Sequence, residues 1–194
     1  MSRRPAAAAK RRKVTAEDRL PGDLRAAELV ERMIRVDQAG EYGARRIYEG
    51  QLAVLREGPA KAEVRHMAAQ EARHLELFDE LMVARRARPT LLSPLWHVAG
   101  FALGAGTALL GERTAMACTA AVEEVIDAHY EAQSQALGDD EAPLRRAIDE
   151  ARAQEVEHRD RALAAGAAEA PGYGALSAAI RRGTRLAIWL SERL

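Results

Sequence analysis

Apolar side chains recur about every 3.5 residues along four stretches of this chain, and Gly and Pro punctuate the intervals between them. The breaks fall at Pro21-Gly22, Gly58-Pro59, Pro89, Pro94, Gly111, Gly138, Pro143 and Pro171-Gly172. They predict long helices over residues 23–56, 61–85, 112–137 and 143–165. Pro59 and Pro143 then sit near helix starts, where a missing N–H is harmless. The inward stripe of the first helix reads Val30, Met33, Asp37, Glu41, Ala44, Tyr48 and Leu55. The second reads Val64, Met67, Glu71, His74, Phe78 and Leu81, the third Met116, Thr119, Glu123, Ile126, Tyr130 and Leu137, and the fourth Leu144, Ile148, Ala151, Glu155, His158 and Ala162. Each stripe is apolar at its ends and carries a carboxylate near its middle.

Composition agrees with helices throughout: Ala and Leu abound, β-branched and aromatic residues are scarce, and no Asn-Gly or Asp-Gly hairpin turn occurs. A chain of 194 residues fits one all-α domain. Lys plus Arg and Asp plus Glu each number 29, so the formal net charge is zero, which argues against a broad nucleic-acid footprint. The charge is uneven, because Arg3, Arg4, Lys10, Arg11, Arg12 and Lys13 form a basic arm without acids. Residues 1–26 therefore read as a disordered N-terminal arm, with residues 27–194 as the folded domain. Cys118 is the single cysteine, which excludes an intramolecular disulfide and a multi-cysteine zinc site and fits a reducing compartment.

Two segments lie outside the four stripes. Residues 89–111 hold no formal charge, although Pro94, Gly100, Gly104 and Gly106 weaken any simple membrane span. Two readings stay open, a buried connection between the second and third helices and a segment dipping into a membrane interface. Residues 174–194 set Leu176, Ala179, Ile180, Ala187 and Leu190 against Arg181, Arg182 and Arg185, an amphipathic helix suited either to anionic lipid or to the flank of the bundle.

Burying an ionised carboxylate without a partner costs several kcal/mol. Glu41, Glu71, Glu123 and Glu155 on four inward stripes therefore demand compensating positive charge, and no Lys or Arg occupies those stripes. Two imidazoles do not offset four carboxylates, whereas two divalent iron ions do. The spacing agrees, since Glu71 and His74, like Glu155 and His158, are three apart and share a helix face. One Glu from each of two helices and a Glu-x-x-His from each of the other two is the bundle-core arrangement for a di-iron or di-manganese centre. The pattern is also an internal repeat: Glu41 precedes Glu71 by 30 residues and Glu123 precedes Glu155 by 32. Each leading Glu is followed at the same offsets by Tyr, Glu and Gln, namely Tyr48, Glu49 and Gln51, then Tyr130, Glu131 and Gln133. That register selects Glu123 over Glu124.

The chain resembles the 5-demethoxyubiquinone hydroxylase family of ubiquinone biosynthesis, most closely in "RVDQAGEYGARRIYEGQLAVL", "RPTLLSPLWHVAGFALGAGTALLG", "AMACTAAVEEVIDAHY" and the ending "LSERL". The resemblance implies a ferritin-like four-helix bundle with two further apolar or amphipathic helical segments. It implies a di-iron centre at Glu41, Glu71, His74, Glu123, Glu155 and His158, with Glu71 and Glu155 bridging. Glu41 and His74 would hold one ion, Glu123 and His158 the other. It further implies hydroxylation of a polyprenyl demethoxyubiquinol with O2, NADH as electron donor, a lipid-binding partner protein and peripheral association with a membrane. That membrane would be the inner face of a bacterial cell membrane, or the matrix side of the mitochondrial inner membrane. The same six residues also permit an iron-oxidising storage protein, the main alternative, or a manganese catalase, and a metal-free membrane scaffold is a third reading.

Around the centre, Asp37 and Asp127 are candidates to accept the second N–H of a metal-bound imidazole, or to make ordinary helix contacts. Tyr48 and Tyr130 are candidates to bond the carboxylates, or to serve as core aromatics. His66 reads as solvated, Cys118 as a small buried residue, and His97 and His129 as packing residues or the lining of a quinone path.

Overall fold

The computed structural model describes residues 24–194, so the basic arm at residues 3–13 lies outside the described residues. Six helices run in order: α1 (Ala26–Val54), α2 (Pro59–Arg85), α3 (Ser93–Leu109), α4 (Glu112–Ala136), α5 (Ala142–Ala164) and α6 (Tyr173–Ser191). Single 3₁₀ turns precede α5 and α6, and no strand occurs among the described residues. The four long helices begin and end within about three residues of the positions predicted from the hydrophobic period. α2 opens on Pro59 and stops at Arg86, whose left-handed backbone (φ 54°) redirects the chain.

Short connections make α1 and α2 one packed pair and α4 and α5 a second. Within each pair the helices touch along much of their length, whereas the two pairs approach one another sparsely. That gap between the pairs is where the inward polar residues collect. Buried apolar residues close both ends of it. Phe78, Ile126, Leu144 and Ile148 lie in one cluster, Val64, Met67, Met116 and Ala117 in the other.

The uncharged segment is a helix, and its glycines explain where it sits. α3 lies along α1, where a Cβ on Gly104 would overlap the Ile47 carbonyl and one on Gly50 would overlap the Phe101 carbonyl. A Cβ on Gly100 would likewise come within 2.9 Å of the Gly43 carbonyl oxygen. Glycine's usual penalty in a helix, about 1 kcal/mol against Ala, is here offset by backbone-to-backbone packing. The opposite side of α3 and its flanks expose Leu91, Leu95, Val98, Leu109 and Leu110, with Val98 64% exposed and Leu109 74%. The reading as a buried connection holds for one face only, the face packed on α1; the other face is an open apolar surface.

α6 packs mainly on α4, burying Ser177, Ile180 and Ser191 rather than the whole expected stripe, and Ala179 faces out. Arg181 pairs with Glu124 at 3.0 Å, while Arg182, Arg185, Leu186 and Trp189 are exposed. α3 and α6 are joined by the bond from the Trp96 indole N–H to Ser191 Oγ (3.0 Å) and by the Leu91 amide donating to the Leu194 carbonyl (2.9 Å). Among the described residues no helix is long and apolar enough to cross a membrane.

Candidate metal centre

α1, α2, α4 and α5 each bring a central carboxylate into the gap between the helix pairs. Glu41, Glu71, Glu123 and Glu155 are at most 2% exposed, His158 is sealed and His74 nearly so. Glu124, one residue from Glu123, points outward to Arg181. Two groups of donor atoms form, Glu41, Glu71, His74 and Glu155 in one and Glu71, Glu123, Glu155 and His158 in the other, each within 4.8 Å. Glu71 and Glu155 belong to both. Glu155 is divided between them: Oε1 lies 3.0 Å from His74 Nδ1 and Oε2 lies 3.3 Å from His158 Nδ1. His74 Nδ1 is also 3.4 Å from Glu41, and His158 Nδ1 is 3.1 Å from Glu71.

Protein groups alone hold this charge badly. Burial, reinforced by the neighbouring carboxylates, pushes Glu71 and Glu123 well above the ordinary carboxylate range, and burial raises Glu155 against the pull of His74. Burial opposes ionisation of Glu41 too, but hydrogen bonding to His74 prevails and its pKa is lowered. Burial also disfavours charge on His74, yet Glu155 and Glu41 draw its pKa up to about 10; burial lowers that of His158. Both oxygens of Glu71 and Glu155, one of Glu123, both His74 nitrogens and His158 Nδ1 are buried without a well-formed hydrogen bond. Eight O and N atoms on five residues left in that condition, with Glu41 beside them, fit a pair of divalent cations: carboxylate and imidazole suit iron, and the cations would supply the missing positive charge.

The residues around the donors are arranged reciprocally. The Tyr48 hydroxyl donates to Glu123 Oε1 at 2.8 Å, and the Tyr130 hydroxyl donates to Glu41 Oε1. Burial and these carboxylates push both phenols well above the usual tyrosine range. The Gln51 amide donates to Thr119 Oγ1 (3.2 Å) and to the Ala115 carbonyl (3.1 Å); the Gln133 amide donates to Asp37 Oδ1 (2.8 Å).

Asp37 and Asp127 do not support His74 or His158. Asp37 meets Gln133 and lies 3.6 Å from His129 Nε2, with its carboxyl raised by burial. Asp127 points to the bundle's flank, where the Arg152 and Arg159 guanidinium groups hold it at 2.6 and 3.2 Å. Two arginines on α5 within reach outcompete a buried imidazole for a half-buried carboxylate. The imidazole partner that does appear is Gln70, whose Oε1 lies 2.9 Å from His158 Nε2. Periodicity misses Gln70 because it sits one position off the α2 stripe. Gln51 and Gln133 were visible only as markers of the repeat.

Beside the centre lies an apolar cavity of about 350 Å³ between α1, α3, α4 and α6. Gly40, Gly43, Ile47, Gly100, Leu103 and Ile126 line it among others, and Asp37, His129 and Tyr130 are polar groups on its wall, as are Thr184 and Ser191 on α6. His129 thus lines a cavity, whereas His97 is exposed and bonded to the Tyr42 hydroxyl at 2.6 Å. His66 is exposed, and Cys118 is buried with its thiol pushed up to about 12 by burial.

Residues 28–191 match the family described as ubiquinone biosynthesis protein COQ7. The chain is 64% identical over 181 residues to the 3-demethoxyubiquinol 3-hydroxylase of Rhodospirillum rubrum, covering 93% of this chain and 85% of that protein. It is 52% identical over 169 residues to the mitochondrial NADPH-dependent 3-demethoxyubiquinone 3-hydroxylase of Homo sapiens, covering 85% and 78%. Identity to the mitochondrial 5-demethoxyubiquinone hydroxylase of Saccharomyces cerevisiae is 40% over 185 residues, covering 87% and 79%.

Proposed function

This chain belongs to the COQ7 family of ubiquinone biosynthesis, and we propose that it hydroxylates the ring of a demethoxyubiquinol at a di-iron centre. Glu41, Glu71, His74, Glu123, Glu155 and His158 would hold the two ions, with Glu71 and Glu155 shared between them. The observation that carries this reading is the division of donors into two groups that have those two carboxylates in common. When bound, the ions would supply reductive activation of O2, so that one oxygen atom is inserted into a ring C–H bond and the other leaves as water with two electrons and two protons. Two electrons from a reduced nicotinamide nucleotide are consumed; the resemblance implied NADH, while the human relative's name specifies NADPH.

The protein supplies placement and dryness. The apolar cavity is of a size to take an aromatic ring and the first part of a hydrocarbon tail. Tyr130 lines that cavity and bonds Glu41, so the ring and the centre share one wall. Trp96, Ala99, Ala187 and Ile188 form the outer side, and their helix neighbours Leu95, Val98, Leu186 and Trp189 are exposed. An apolar rim flanked by Arg182 and Arg185 suits an anionic lipid surface, from which a polyprenyl quinol enters without crossing water.

The test is direct. Purified protein, loaded anaerobically with ferrous iron and then given demethoxyubiquinol, NADPH or NADH and air, should yield the ring-hydroxylated quinone by mass spectrometry. About two irons should bind per chain. Glu155→Ala and His158→Ala should form no product while remaining helical. Full activity in either variant, or uptake of hundreds of irons per assembly, would sink the assignment.

A further inference from the structure

The reciprocal bonds around the centre leave one position unmatched. Tyr48 to Glu123 is answered by Tyr130 to Glu41, and Gln51 to Thr119 by Gln133 to Asp37. Gln70 to His158 has no counterpart. Because His74 turns Nδ1 toward Glu155 and Glu41, its Nε2 points away from the donors, and that nitrogen is sealed from solvent without a partner. An imidazole that binds a cation through Nδ1 carries its proton on Nε2 and donates it to a group behind the ring. The repeat supplies a candidate for that group. Gln154 immediately precedes Glu155 as Gln70 precedes Glu71, so the repeat makes Gln154 the residue that answers Gln70 across the two-fold relation. Gln154 is half-buried, and among the described residues no hydrogen bond holds its amide, so a rotamer change is free to bring it in.

We propose that Gln70 and Gln154 are a matched pair of positioning residues, each accepting the Nε2–H of the imidazole contributed by the other half of the molecule. The proposal rests on the two-cation reading above. Each glutamine fixes the tautomer in which Nδ1 is free to bind, and each acts on one ion: Gln154 on that held with Glu41, Gln70 on that held with Glu123.

Cobalt(II) titration of the full chain, read by its visible absorption and by competition with a chelator, separates the outcomes. Wild-type protein should take up two ions. Gln154→Leu should lose roughly 10–100-fold in affinity for one ion only and change that ion's absorption, with Gln70→Leu doing the same to the other. Gln154→Glu, which keeps an acceptor oxygen at the same reach, should restore both. Should Leu at 154 prevent folding, Gln154→Ala carries the same expectation. Wild-type affinity and spectrum in the Leu and Ala variants, or equal weakening of both ions with a lowered melting temperature and no rescue by Glu, would overturn the proposal. Failure of the wild-type chain to bind a pair of ions would instead overturn the metal reading beneath it.

Discussion

The two halves of the molecule, α1 to α3 and α4 to α6, place the same residues around the centre and surround them differently. Tyr48 and Tyr130 occupy one register position, as do Gln51 and Gln133 and Glu41 and Glu123. Behind Tyr48 the space is filled: its hydroxyl touches Met67 Sδ at 3.8 Å, and Met116, Ala115 and Ala117 close the cluster. Behind Tyr130 the space is the cavity. The same register puts Thr119 where the first half has Asp37, and Ile47 where the second has His129. Asp37 and His129 meet each other on the cavity side. A symmetric scaffold can hold two cations equally, but it takes an asymmetric wall to give a substrate one way in.

The comparison breaks first at the ligands. Glu41→Ala and Glu123→Ala should each reduce hydroxylation by more than the roughly 10–100-fold typical of losing a group behind a ligand, and by similar amounts despite their different surroundings. Quantified product under saturating quinol checks this; a large loss in one variant alone would show that the halves are not equivalent at the centre.

Cavity and plug should then respond oppositely to added bulk. A Cβ on Gly43 meets no atom within 4 Å, and Gly43 lines the cavity, so Gly43→Leu should keep the melting temperature and two bound irons while raising KM for quinol about tenfold. Ala117, fully buried on the closed side, has no such room. Ala117→Leu should lower unfolding free energy by about 1–3 kcal/mol in denaturant titration.

The tyrosines give a finer difference. Tyr48→Phe strands a carboxylate oxygen in a closed core and should cost the metal-free protein about 1–3 kcal/mol. Tyr130→Phe should cost less, because Glu41 keeps His74 Nδ1 at 3.4 Å, whereas Glu123 is bonded by Tyr48 and its other oxygen is buried without a partner.

A pH series on metal-stripped protein is the gentlest probe. Raised His74, Glu71 and Glu123 all bind protons more tightly folded than unfolded, so the stability they contribute is lost as pH rises. For His74 the window runs from its ordinary 6.5 up to about 10. Lowered His158 and Glu41 act in the other direction, below neutral pH. Thermal melts should therefore drift downward from pH 6.5 to 10 without metal, and the drift should vanish with two divalent cations bound, whose uptake displaces those protons.

Most of the four-helix frame was legible in the sequence because a carboxylate on an apolar stripe has few explanations, and the repeat register chose Glu123 over its outward neighbour. Length and period likewise set the helix limits. The resemblance implied a helical segment where α3 lies, but its residues alone did not show what it packs on, since glycine lowers local helix preference and only the backbone of α1, distant in sequence, makes it favourable there. Asp37 and Asp127 were placed one turn from ligands correctly, yet their partners depend on side chains of other helices, Gln133 and His129 for one and Arg152 and Arg159 for the other. Gln70 escaped notice because a half-buried residue off the stripe has no periodic signature.

The thin contact between the two helix pairs has a consequence for the protein's lifetime in the cell. The backbones of the two pairs stand apart, and side chains close the seam at its ends, while its middle holds four buried carboxylates that repel one another; two bound cations would clasp that middle, so molecules without them should open more readily along this seam. Quality-control proteases would then remove them sooner than their loaded counterparts, tying abundance of the enzyme to the supply of its metal.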